Sequence, residues 1–447
     1  MNRTNIPRVM TNGPITSHLL RFAFPIMFSS LFHLIYSLAD TIIVGKFLGG
    51  NTLAAVSVTG NATYLMFSIV SGINMGSSVV LAQAYGSGNR EKMKRVIATS
   101  LWVLGITAIL FTSIGVVTVD FMLGIIQTPE EIFKLAKTYM LIIFFGMSGS
   151  IFYDWLASLL RAFGNSFIPL LCLIFSGVLN VILDLIFVLC FKMGIEGVAV
   201  ATVISQILSG LICFVYTWKK YTVFHMKIAE MKLDISVLKH ILVIGIPAAV
   251  QDSIITVSNM VLQGVLNTYG TTIVLAYGIV SKYELICMQV GDSLGSALST
   301  FAGQNMGAGK IDRVVQSVKY TAFLNMAGYG IVSPIIFMLA EKCMYIFTNS
   351  KDAIVAGGEF LQIYAVFFVV LGILILFQNF LRSVGDIRAT IWMGVCEVIS
   401  RTVFALLLPQ LWGVNGLKFV SPFTWIVSML LGMVCYYSGE WKKKKML

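Results

Sequence analysis

Long apolar stretches separated by short polar connections dominate this chain. At roughly 20 residues per membrane crossing, they mark spans near 19–44, 52–82, 96–119, 138–160, 167–191, 197–218, 241–266, 272–302, 314–340, 358–380, 389–410 and 416–438. Stretches such as Leu101–Val119 and Leu361–Phe377 show no polar–apolar alternation. That excludes a membrane β-barrel, whose strands alternate over about 10 residues. The pattern predicts an all-α polytopic membrane protein with about twelve transmembrane helices. The first apolar stretch begins near Leu19 and outruns a signal peptide without a small-residue cleavage site. It is expected to persist as the first span.

The pattern also repeats. Gln83, Gly86 and Gly88 recur as Gln304, Gly307 and Gly309, and Leu160, Arg161 and Gly164 recur as Leu381, Arg382 and Gly385, all 221 residues on. Pro25 has a counterpart in Pro247, and Gly194-Ile-Glu-Gly197 has one in Gly413-Val-Asn-Gly416. Six spans per half is an even number, so both halves enter the membrane in the same sense. The expectation is two six-helix lobes related by a pseudo-twofold axis along the membrane normal, a plan of secondary transporters with the site between lobes. The predicted division is an N-terminal lobe at 1–218, a cytoplasmic linker at 219–240 and a C-terminal lobe at 241–447.

Composition sharpens this picture. Only 11% of the 447 residues are charged, against about 25% in soluble proteins, so a water-soluble enzyme is excluded. The net charge of +11 would suggest nucleic acid in a soluble chain, but its placement says otherwise. Of the Lys and Arg residues, 21 fall at the termini and in even-numbered connections and 6 in odd-numbered ones. Basic connections stay in the cytoplasm, so both termini are expected inside a multi-pass protein of the inner (plasma) membrane. The run Lys442–Lys445 fits the same retention rule. The seven Cys form no CxxC pair, which predicts free thiols.

Several motifs carry no chemistry. Gln304-Asn-Met-Gly-Ala-Gly-Lys310 lacks the first Gly and the final Ser/Thr of a nucleotide-binding loop. Gly291-Asp-Ser-Leu-Gly295 lies in an apolar helix with all four His elsewhere, so Ser293 is not a nucleophile on an elbow. The sequon Asn61-Ala-Thr63 falls inside a span. No catalytic residue, structural metal site or cofactor is expected; the chain reads as no enzyme.

The informative residues are acids inside the membrane, where a charge costs at least about 2.5–3.5 kcal/mol. Asp40 lies in span 1, and Asp184 is the only charge between Arg161 and Lys192. Asn180 stands one turn before Asp184, on the same helix face, where it is expected to donate to the carboxylate. Tyr139 and Thr202 offer hydroxyls to complete an oxygen site. In the second half, Asp252 beside Gln251, Lys282 with Glu284, and Glu397 four residues before Arg401 are the corresponding charges. The last pair is placed to neutralise itself along a helix. Asn180 aligns with Arg401 and Asp184 with Ala405, so the acidic pair is not duplicated; if ion coupling lives on these acids, it lives in the first lobe.

Asp40-Thr-Ile-Ile-Val-Gly45 after Pro25, Gln83-Ala-Tyr-Gly-Ser-Gly88, Gln304-Asn-Met-Gly-Ala-Gly309, Leu160-Arg-Ala-Phe-Gly164, Leu179-Asn-Val-Ile-Leu-Asp184 and Gly197-Val-Ala-Val-Ala-Thr-Val-Ile-Ser205 resemble the multidrug and toxic compound extrusion family. The likeness covers nearly the whole chain. It implies two lobes forming a V around a central cleft, and antiport of organic cations or drugs, often aromatic, against protons or sodium ions. It implies that Asp40, Tyr139, Asn180, Asp184 and Thr202 form the cation-coupling site, with a sodium ion, if that is the coupling ion, at Asp40, Asn180 and Asp184. The second-lobe acids of some relatives are replaced here by Gln251 and Asp252 in span 7 and by Gln378 and Asn379 in span 10, which favours coupling through the first lobe. Gln251, Asp252, Lys282 and Glu284 are the candidates for the substrate cleft. The expected partners are small molecules and the lipid bilayer, with the protein a monomer. The alternative is a flippase for lipid-linked oligosaccharides of the same broader superfamily, although those chains carry about fourteen spans and a cationic cavity.

Overall fold

A computed structural model describes residues 10–443, without the side chains of Asn61, Ala62, Tyr64, Leu65, Asp252 and Val257. Arg3, Arg8, Lys444 and Lys445 of the charge pattern, and the side chains of Asn61 and Asp252, therefore lie outside the described residues. Among the described residues, twelve helices are long and apolar enough to cross a membrane. They are α1 (Ile15–Ile43), α2 (Gly50–Gly86), α3 (Arg90–Ile125), α4 (Glu130–Ala162), α5 (Phe167–Leu185), α6 (Gly194–Lys220), α7 (Ile235–Asn267), α8 (Thr271–Gly307), α9 (Ile311–Tyr345), α10 (Lys351–Ser383), α11 (Ile387–Trp412) and α12 (Val414–Tyr437). In hydrocarbon the backbone must bond to itself, which leaves the helix as the solution for such segments.

The repeated motifs are helix stops. After α2, Ser87 N donates to Gln83 O at 3.0 Å and Gly88 N to Tyr85 O at 3.0 Å; after α8, Ala308 N donates to Gln304 O at 3.0 Å and Gly309 N to Met306 O at 2.9 Å. Gly88 and Gly309 both sit at φ +71°, a left-handed conformation that glycine adopts without steric cost. The stops after α4 and α10 match in the same way: Asn165 N bonds Leu160 O and Asp386 N bonds Leu381 O, each at 2.9 Å.

The chain forms two compact units. The first holds Phe28–Ala249. Within it α4 packs on α2, α3 and α6, while α2 packs on α3 and α5 on α6. The second holds Met10–Met27 and the described residues from Val250 onward. Its helices pair in the same scheme six helices later, with α10 against α8, α9 and α12, α8 against α9, and α11 against α12. Each unit has its own continuous apolar core.

Two helices change unit part-way, α1 two residues after Pro25 and α7 two residues after Pro247. An internal proline removes one backbone hydrogen bond and clashes with the carbonyl four residues back, so both passages fall where the helix is weakest. Before its proline, each helix is anchored. In the second unit, Ile15, Leu19, Phe22 and Ala23 pack with Leu294, Ala297 and Phe301. Met10 N donates to Gln304 Oε1 at 2.9 Å, Lys310 Nζ to Thr11 O at 2.9 Å and Arg313 Nη2 to Gly13 O at 2.9 Å. In the first unit, a Cβ at Gly76 would lie 2.3 Å from Ile241 O, so α2 and the start of α7 touch backbone to backbone through small residues. The connection before α7 is tied down by Trp102 Nε1 donating to Met231 O at 2.9 Å and Asp234 N donating to Thr99 Oγ1 at 3.1 Å. It also holds the ion pair Lys94–Glu230 at 3.2 Å.

Candidate functional site

Glycines set the frame of the site in the first unit. A Cβ at Gly146 would lie 2.1 Å from Val203, and one at Gly149 would lie 2.4 Å from Ile207, so α4 and α6 meet with no side chain between them. That approach brings Tyr139 of α4 and Thr202 of α6 to one side of α5. Gly177 does the same for α5 and α1: a Cβ there would meet Phe32 at 2.7 Å and Tyr36 Cβ at 3.3 Å. One and two turns further along α5 come Asn180 and Asp184, both buried, and one turn beyond Tyr36 on α1 comes Asp40.

Both acid-bearing helices end in a π-helical turn, Val44–Leu48 after α1 and Ile186–Cys190 after α5. Such turns shift side chains out of α-helical register and cluster at functional sites. Val44 and Val188 pack with Val198, and Tyr139 rests against that cluster. The two turns are thereby locked to the start of α6.

The carboxyl groups of Asp40 and Asp184 come within hydrogen-bonding reach of each other. Both are acceptors when ionised, so the contact alone satisfies neither. Asp40 Oδ1 and both oxygens of Asp184 are buried with no donor among the described residues. Asn180 Nδ2 donates to Thr202 Oγ1 at 3.4 Å, and Thr202 Oγ1 in turn donates to Val198 O at 3.1 Å. The amide is therefore engaged by α6 rather than by Asp184, as the one-turn spacing alone would suggest. Tyr139 lies in the field of both acids and of Tyr36. All five residues expected in the first lobe are thus gathered, and every donor atom they offer is oxygen or an amide. That chemistry suits a hard cation or a proton. Two carboxylates this close in an apolar setting cannot both stay charged without one.

The second unit brings its charges together differently. Arg401 donates to Glu397 at 2.9 Å and to Asn259, while Gln378 Nε2 donates to Glu397 Oε2 at 3.1 Å. Glu284 lies in the field of both members of that pair. Gln251 is buried, and its Oε1 accepts from Arg382 Nε at 3.1 Å and Nη2 at 2.6 Å. Lys282 is exposed. The structure therefore leaves Glu284 in the field of the Glu397–Arg401 pair and bonds Gln251 to Arg382.

Two features escape a reading of spans alone. Lys418 of α12 is buried and bonds Glu359 of α10, with Asn415 at 2.6 Å. Asp154 is a half-buried acid within α4. A search for every charge in an apolar segment would have marked both.

A twelve-span helical protein with internally repeated units and a buried pair of facing carboxylates has the build of a secondary transporter. The sequence profile described as MatE matches residues 25–186 and 247–407, one stretch in each half. The chain belongs to the MatE family, the multidrug and toxic compound extrusion proteins, which are secondary transporters of organic compounds and not enzymes. It is 27% identical to "Probable multidrug resistance protein YpnP" of Bacillus subtilis (strain 168) over 98% of both chains. It is 28% identical to "Probable multidrug resistance protein YoeA" of the same organism, over 95% of this chain and 94% of the relative. The fold matches a solved MOP superfamily transporter from Pyrococcus furiosus with a TM-score of 0.91 over 100% of both chains, at 20% identity.

Proposed function

We propose that the protein exports organic cations from the cell by antiport, driven by protons or sodium ions that load the Asp40–Asp184 pair. The observation that carries this reading is the pair itself, two facing carboxylates with three buried oxygens that no protein donor serves. A proton or cation between them relieves their repulsion, and a cationic substrate drawn to the same charge competes with it. Competition for one negative centre couples the two flows without nucleotide. Asn180, Thr202 and Tyr139 tune the site through oxygen atoms, and the π-helical turns transmit its loading to α1 and α5. The names of the two Bacillus relatives support a multidrug substrate range. The distribution of basic residues supports a plasma-membrane protein with both termini in the cytoplasm, and its complete pair of units supports action as a monomer.

The test is efflux from proteoliposomes under imposed proton and sodium gradients. Wild type should follow at least one gradient, and Asp40→Asn and Asp184→Asn should lose that dependence to a greater extent than they lose substrate binding. Undiminished gradient-driven efflux in both variants would overturn the reading.

A further inference from the structure

We propose that the groove over α10 in the second unit, lined by Glu359, Gln362, Asn415 and Lys418, binds the headgroup of a membrane phospholipid that carries both an ammonium and a phosphate. Phosphatidylethanolamine has that chemistry. None of these residues belongs to the coupling site, which lies in the first unit.

The groove follows from how three helices meet. A Cβ at Gly357 would lie 2.0 Å from Met344 Cε, and one at Gly358 would lie 3.0 Å from Glu341 Cγ, so α9 is seated on α10 just before Glu359. On its other side α10 packs against α12. Over α10, between Phe337 of α9 and Asn415 and Lys418 of α12, lies a cavity of about 360 Å³. That is within the range of small-ligand sites, about 300–1,000 Å³. Along α10 it is lined by Glu359, Gln362 and Val366, whose spacings of three and four residues put them on one helix face.

The polar end of the groove has bonding capacity left over. Lys418 Nζ donates to Glu359 Oε2 and to Asn415 Oδ1, which uses two of its three N–H groups. Glu359 Oε1 has no donor among the described residues, and Gln362 has no hydrogen-bond partner there either. The Lys418 side chain is 7% accessible, whereas that of Glu359 is 53% accessible. The carboxylate therefore faces the occupant first, which calls for a cationic donor such as an ammonium. The remaining Lys418 N–H and the Gln362 amide can serve a phosphate beside it. An ion pair that only tied α10 to α12 would need neither Gln362 nor an open cavity.

Depth decides that the occupant is a lipid. With 33 residues, α10 is about 50 Å long at 1.5 Å per residue, and overhangs a hydrocarbon layer of about 30 Å by about 10 Å at each end. Glu359 stands about 12 Å from the start of α10, at the edge of that layer, and Val366 about 22 Å from it, well inside. Val366 and Phe337 are exposed, and at that depth exposure means contact with acyl chains. The groove thus runs from polar to apolar toward the membrane centre, the order in which a phospholipid presents headgroup and chain. A half-exposed carboxylate opening toward lipid is costly without a polar cover, and a headgroup supplies it. In the proposed orientation this end of α10 lies in the outer leaflet.

The test uses full-length protein stripped of lipid in detergent and native mass spectrometry to follow binding. It is titrated with phosphatidylethanolamine, with phosphatidylcholine, whose ammonium has no N–H, and with phosphatidylglycerol, which has no ammonium. Phosphatidylethanolamine should bind about tenfold or more tightly than either, as a hydrogen bond to a charged group allows. Phosphoethanolamine without chains should bind about tenfold or more weakly than the lipid, because it leaves Val366 and Phe337 uncovered. Gln362→Trp fills the groove without touching the ion pair. It should unfold at the wild-type temperature in the absence of lipid, yet show no preference among the three lipids. Glu359→Gln keeps an acceptor for Lys418 and should lose the preference as well. Equal affinity for the three lipids in wild type, or an undiminished preference in both variants, overturns the proposal. Phosphoethanolamine binding as tightly as the lipid overturns it too, since the groove would then serve a soluble ligand.

Discussion

Arg401 Nη2 donates to Glu397 Oε1 at 2.9 Å across one turn of α11, and both side chains are buried. At the equivalent place in α5, 221 residues earlier, stands Asn180, whose helix carries an acid with no protein donor. The second unit thus holds a tethered guanidinium where the first holds an amide one turn from a carboxylate without a donor. A cation supplied by the protein cannot be swapped with the medium, so under the proposed coupling only the first unit would load and release an ion.

The pair gives a stability prediction. Arg401→Met leaves the Glu397 carboxylate buried and uncompensated, which should cost about 3–5 kcal/mol. Adding Glu397→Gln to the same chain should recover most of that loss. Thermal unfolding in detergent reads both variants, and a double variant no more stable than the single one would contradict the arrangement.

The site in the first unit should separate binding from coupling. Asp184→Asn preserves shape but cannot titrate, so gradient-driven efflux should drop about tenfold or more, within the range of measured coupling energies. Equilibrium binding of an organic cation should change far less. Parallel loss of binding and transport would show that Asp184 only contacts substrate.

Asn180 contacts Thr202 at 3.4 Å, and under the proposed coupling its role would be one of tuning. Asn180→Ala and Thr202→Val should each move the pH or sodium concentration at half-maximal transport while maximal rate is retained. Abolished transport in either would mean that these residues hold the site together.

The frame can be tested apart from the chemistry. Gly146→Val adds atoms where a Cβ already falls 2.1 Å from Val203, and overpacking of this kind costs about 1–3 kcal/mol. Forcing α4 from α6 also moves Tyr139 from the Val44–Val188–Val198 cluster at the start of α6, so coupling should weaken with stability. Gly105→Ala, where a Cβ meets nothing within 4 Å, should leave both unchanged in melting and transport assays.

Much of this was readable from the chain. Span number follows from apolar length, because hydrocarbon admits few other solutions. The duplicated Gly and Gln positions were visible as an offset, and the structure explains them as paired helix stops at Gly88 and Gly309. Asp40, Asn180 and Asp184 stood out because polarity is rare in their surroundings. The Asn180 bond to Thr202 was hidden, since helix spacing ranks neighbours along α5 and says nothing of α6. Asp154 carried the same polar signal as Asp184 but lacked an adjacent amide to draw notice. The joining of α1's first turns to the second unit had no sequence signal, because an apolar face requires burial without specifying against what.

That joining bears on biogenesis. The segment Met10–Met27 is made ahead of the first unit, yet its anchors Gln304, Lys310 and Arg313 are made close to 300 residues later. During synthesis the start of α1 must wait, unpartnered, while the first six helices insert. Expressing residues 1–218 and 241–447 as separate chains should therefore give no complete unit from either. The first fragment would lack Ile235–Ala249 and carry a segment that belongs elsewhere; the second would lack Met10–Met27. Only co-expression would let each fragment finish the other's core.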